Sequence, residues 1–90
     1  MEKDNIITIT LPGNKLNEPN NLELVSKFGN SLYQSNREFI KEKIKDNWFA
    51  LIEPVSGTLM AYSNQLELYE YARKMFPDRL VFSVGLLKDN

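Results

Sequence analysis

The side chains that most often carry enzymatic chemistry at neutral pH are missing from this sequence. Its 90 residues contain no histidine and no cysteine. That removes the commonest general base and transition-metal ligand. It also removes thiolate nucleophiles, zinc–thiolate sites, iron–sulfur clusters and disulfides. Carboxylates, lysines, tyrosines and serines remain. Carboxylate catalysis needs two acids held on facing elements of a cleft. Glu53 stands before Pro54 in a turn pattern, Glu67 lies at capping distance from Asn64, and Asp78-Arg79 follows Pro77 as a turn. Ser56-Gly57 lacks a nucleophile-elbow context, and no glycine-rich phosphate loop is present. The reading is a protein that is not an enzyme, with no catalytic residues, no metal and no cofactor.

Two rows of side chains suit recognition instead. Leu68, Tyr71, Ala72 and Met75 recur at i, i+3, i+4, i+7 spacing, the pattern of a helix stripe that faces a sheet. Leu66, Tyr69 and Phe76 form a second apolar stripe, roughly 80–160° around the same cylinder. Glu67, Glu70 and Lys74 alone mark a solvated side. An apolar arc this wide needs a second cover. Either another part of the chain supplies it, or Leu66, Tyr69 and Phe76 bind a partner protein or a second subunit. The other row is Arg37, Lys41 and Lys45 at i, i+4, i+8. It would meet phosphates or an acidic protein, but Glu38 and Glu42 beside it fit a solvated, ion-paired helix face better.

Composition sets the frame for these rows. With 42% hydrophobic and 26% charged residues, the chain is too apolar for a disordered segment and is sized for a single domain over residues 1–90, its ends at 1–5 and 88–90 frayed. Net charge is −1, so no global field draws it to nucleic acid or anionic lipid. The longest apolar run, Trp48-Phe49-Ala50-Leu51-Ile52, is far below the ~20 residues that span a bilayer. No secretory leader is visible. The expectation is a soluble cytoplasmic protein that contacts no membrane.

The elements that position the rows follow from periodicity. Residues 6–11 are short and β-branched, as in a strand, and Pro12-Gly13-Asn14 ends it. From Leu22 to Ile44, the apolar residues Leu22, Val25, Phe28, Leu32, Tyr33, Phe39, Ile40 and Ile44 fall within an arc of roughly 160°. This predicts one long helix over about 20–46, with a break at Gly29-Asn30 as the alternative. The consecutive apolar residues 48–52 predict a strand covered on both faces or at a sheet centre. Residues 53–57 form a turn, 58–62 the returning arm of a hairpin. A second helix starts at Asn64, which with Glu67 resembles a capping box, and stops at Phe76 before Pro77. Residues 80–86 alternate as a last strand.

The order is β-α-β-β-α-β, which predicts an α+β domain. Its small, mainly antiparallel sheet would carry two helices on one face, a ferredoxin-like sandwich. A three-stranded sheet plus helices is the alternative. RNA-recognition domains share this order and stack bases on aromatics of the middle strands. Here residues 6–11 hold no aromatic, and residues 58–62 lack the basic-glycine-aromatic pattern. Pro12-Gly13 resembles the turn of small amino-acid-sensing domains, without their acidic residue.

One resemblance covers about residues 47–86. An aromatic pair before Ala50-Leu51-Ile52-Glu53-Pro54, then Ser56-Gly57, Ala72-Arg73-Lys74 and Phe76-Pro77, is similar to small uncharacterised bacterial proteins of cyanobacterial type. The resemblance implies a strand, a glycine turn, a short helix and a final strand, and no site residues. The functional expectation is a non-enzymatic accessory or regulatory module that binds another protein or itself as a homodimer. A small-ligand-sensing domain is the alternative, and an RNA-contacting domain using Arg37, Lys41 and Lys45 a third reading.

Overall fold

The structure, a computed structural model, describes residues 5–18, 20–44 and 47–87. Among the described residues, four strands and three helices follow one another as β1 (Ile7–Thr10), α1 (Leu22–Ser35), α2 (Arg37–Lys43), β2 (Phe49–Glu53), β3 (Thr58–Tyr62), α3 (Gln65–Met75) and β4 (Phe82–Leu86). The strands form one sheet in the order β1-β3-β2-β4, with every pairing antiparallel. The α+β class, the element order and the four-stranded sheet are those that periodicity predicts.

The layering differs from the one-faced sandwich. Leu32, Ile40 and Ile44 of the first helical stretch pack with Ala50, Ile52, Leu59 and Ala61 on one side of the sheet. Leu68 and Ala72 of α3 pack with Leu51 and Met60 on the other. Strand order explains the difference. Here the hairpin β2–β3 occupies the centre, so the crossovers β1→β2 and β3→β4 both step in the same direction across the sheet. Because β1 and β3 run in opposite senses, right-handed crossovers must then lie on opposite faces. A ferredoxin-like order would place β1 between β3 and β4, reverse one of those steps, and put both helices on one face. The three layers also account for the unbroken apolar run: Ala50, Leu51 and Ile52 are at most 1% exposed, each covered from its own side.

The helix predicted over about 20–46 runs through Gly29 and breaks later. A Cβ on Gly29 would overlap the Cβ and ring of Phe82, so glycine lets α1 approach β4 more closely than alanine could. Its helix-propensity cost, ~1 kcal/mol, is offset by that contact. The break falls at Asn36 (φ −117°, ψ 19°), which is buried. Its side-chain Nδ2 donates to Leu32 O at 2.8 Å and Pro12 O at 3.0 Å, tying the helix bend to the loop after β1. Of the predicted stripe, Val25, Leu32, Ile40 and Ile44 are buried, whereas Leu22 is 67% exposed and Phe39 lies at the surface.

α3 begins as the capping pattern predicts: Asn64 Oδ1 accepts from Glu67 N at 3.0 Å. Its sheet-facing stripe is realised by Leu68 and Ala72, with Tyr71 half-buried and Met75 46% exposed. β4 starts two residues later than predicted and carries a bulge, the register slipping between Ala50 and Leu51 of β2. Gly85, with φ +87°, supplies the left-handed residue that such bulges use. The bulge also ends the simple alternation read over residues 80–86.

Candidate groove between the third helix and the last strand

α3 lies over the two central strands, β2 and β3. A single helix is about 10 Å wide, too narrow to cover four strands set about 4.8 Å apart. On the β1 side the gap is closed by Tyr71, whose hydroxyl hydrogen-bonds Thr8 Oγ1 at 3.2 Å, and by Ile6. On the β4 side a groove of about 400 Å³ remains, bounded by Tyr69, Ala72, Arg73 and Phe76 of the helix side and by Pro77, Arg79, Leu80 and Val81 of the connection to β4.

Within the chain, a cover for the stripe of Leu66, Tyr69 and Phe76 could come from the first helical stretch or from a loop. α1 and α2 lie on the opposite face and do not supply one. Tyr69 and Phe76 instead pack at their inner edges against the small core cluster under α3, together with Val81, and turn their remaining surface to the groove. Leu66 is 70% exposed one turn earlier, outside the groove lining. Two members of the stripe are therefore brought together and the third is separate. The sequence reading missed Arg73, Arg79, Leu80 and Val81. The spacing of Arg73, four residues after Tyr69 on the same helical row, was the available signal. Leu80, read as the start of the last strand, lies before β4 and is 37% exposed.

A polar latch fixes the groove's outer wall. Glu53, at the end of β2, is fully buried. Its carboxylate accepts from Val55 N and Ser56 N, both at 2.9 Å, and from Ser56 Oγ at 2.7 Å. Arg79 Nη1 completes the set at 3.1 Å. The same guanidinium lies 5.8 Å from the centroid of the Phe76 ring, within cation–π range. One side chain thus joins the hairpin turn, the end of α3 and the segment leading to β4. Glu53 is enclosed by donors rather than aimed into a cleft, as a general acid would be. Among the described residues no group of three or more Asp or Glu is placed to hold a metal.

The cationic row is described at two of its three positions. Arg37 lies 6.0 Å from the Tyr33 ring, Lys41 is exposed on α2, and Lys45 falls outside the described residues. Among the described residues, the aromatic side chains on and beside the sheet are packed against their neighbours. Trp48 is buried against Tyr62, edge to face at 5.9 Å. Phe49 belongs to the cluster under α3, and Phe82 meets α1 at Gly29. Among the described residues, no helix is long and apolar enough to cross a membrane. No protein-family model, curated protein or solved structure matches this chain.

Proposed function

We propose that this chain is a non-enzymatic interaction module whose contact surface is the groove between α3 and β4, with Tyr69, Phe76 and Leu80 as its apolar anchors and Leu66 extending the surface by one turn. The observation that carries the reading is the separation of the helices onto opposite faces, which leaves this stripe of α3 without cover from α1 or α2 and only partly buried. Aromatic residues with arginine at the edge of an apolar patch are also the composition of protein contact sites. The absence of histidine and cysteine and the enclosure of Glu53 support the non-enzymatic part.

Hydrogen exchange on a complex captured from the source lysate tests this. Slowed exchange at residues 69–83 on binding is the expected result. Protection confined to α1 and α2 would move the contact surface to the other face and refute the assignment.

A further inference from the structure

The interaction reading leaves the partner's chemistry open, and the groove narrows it. Resting on that reading, we infer that the groove takes a short extended peptide segment in which carboxylates flank an aromatic or branched apolar side chain.

Charge is the first argument. Among the described residues, the charged members of the lining are two arginines, Arg73 and Arg79, with no carboxylate. Arg79 is neutralised by Glu53, but Arg73 stands exposed on the outer row of α3 with the guanidinium's five donors suited to bidentate carboxylate recognition. An apolar floor with a cationic rim complements a segment that is apolar at its centre and acidic beside it.

Shape is the second. One wall of the groove leads directly into β4, which is an edge strand. An extended chain laid beside β4 would find main-chain partners there and send alternate side chains to the α3 face. The bulge at Gly85 interrupts that edge, so the pairing is short, over about residues 80–83.

The same features weigh against two other occupants. A second copy seated symmetrically would oppose the same patch to itself, so the lining of neither copy would offer the other's Arg73 a carboxylate. A single-stranded nucleic acid would need aromatic faces free for successive bases, and one face of the Phe76 ring is taken by the Arg79 guanidinium.

The test is to pan a random octapeptide library against the whole folded chain and to measure affinities of the selected peptides by fluorescence anisotropy. The expected sequences carry two or more Asp or Glu around one large apolar residue. Their binding should weaken by at least about tenfold in Arg73→Glu, the loss expected for a charge-assisted hydrogen bond, and less in Arg73→Lys. Arg73 is exposed, so both variants should fold, which circular dichroism verifies. Neutral or basic peptides that bind independently of Arg73 but are lost in Leu80→Asp would overturn the acidic partner while leaving the groove in place. Failure to select any peptide sensitive to Arg73→Glu or Leu80→Asp would overturn both this inference and the groove reading. Arg73-dependent binding of a ten-nucleotide RNA, or a dimer in sedimentation abolished by Arg73→Glu, would replace the peptide with that occupant.

Discussion

The two faces of the sheet are closed by different means. On the α1/α2 face, backbone and ring meet without a gap at Gly29 and Phe82, and a buried amide at Asn36 fastens the helix bend to the loop after β1. Leu11, Leu32, Ile40, Ile44 and Trp48 fill the rest. On the α3 face a single short helix covers the centre, and the flank toward β4 combines the partly buried Tyr69, Phe76 and Val81 with the Glu53–Arg79 latch. Apolar interdigitation closes a surface as it stabilises it. A polar latch stabilises through a few directed bonds and can leave apolar surface beside it uncovered. The second design leaves the surface on which the proposed contact site rests.

The comparison is most exposed to failure at Glu53. Glu53→Ala should lower stability by about 3 kcal/mol, because it strands two backbone N–H groups, a hydroxyl and one guanidinium contact. Glu53→Gln, which keeps an acceptor in place, should cost less. Urea denaturation measures both. A loss below about 1 kcal/mol in Glu53→Ala would mean that the α3 face is held by its apolar contacts after all.

Gly29→Ala probes the opposite face. Helix propensity alone would favour the substitution by ~1 kcal/mol, whereas overpacking against Phe82 opposes it by ~1–3 kcal/mol or more. The overlap includes the Phe82 Cβ itself, so we expect a net loss of about 2 kcal/mol, only partly relieved in a Phe82→Ala background. A stabilised Gly29→Ala would show that α1 stands further from β4 than the tight packing requires. Asn36→Ala should follow at about 1–2 kcal/mol, leaving the carbonyls of Leu32 and Pro12 without their donor. Thermal unfolding by circular dichroism ranks the two.

Local chemistry made much of this architecture readable from the residues. The capping pair Asn64 and Glu67 placed the start of α3, Pro77 its end, and the hairpin turn at residues 53–57 its two strands. The layering was less accessible because it depends on which strands become neighbours, a long-range choice that periodicity does not encode. One clue was present: Ala50-Leu51-Ile52 are all apolar, and a sheet carrying helices on only one face has no cover for Leu51. Gly29 was ambiguous for a related reason. The same residue is a helix stop or a close-approach point, and only the position of Phe82 distinguishes them. The groove was half legible. Tyr69 and Phe76 declared themselves by spacing, while Arg79 and Leu80 arrive from a connection whose path depends on the Glu53 latch.

The finest test compares adjacent residues of α3. Leu68 is fully buried beneath the helix and Leu66 is 70% exposed. Leu68→Ser should destabilise by several kcal/mol, as core truncation with an added hydroxyl does. Leu66→Ser should change stability by no more than about 0.5 kcal/mol, measured by urea denaturation. If Leu66→Ser instead cost as much as a core substitution, its surface would have to be covered within the folded chain, and the stripe on α3 would be part of the core. Equal stability together with weaker binding of a groove-selected peptide would place Leu66 on the contact surface. Selective loss of binding is the signature that separates an exposed apolar side chain held for a partner from one that is merely tolerated.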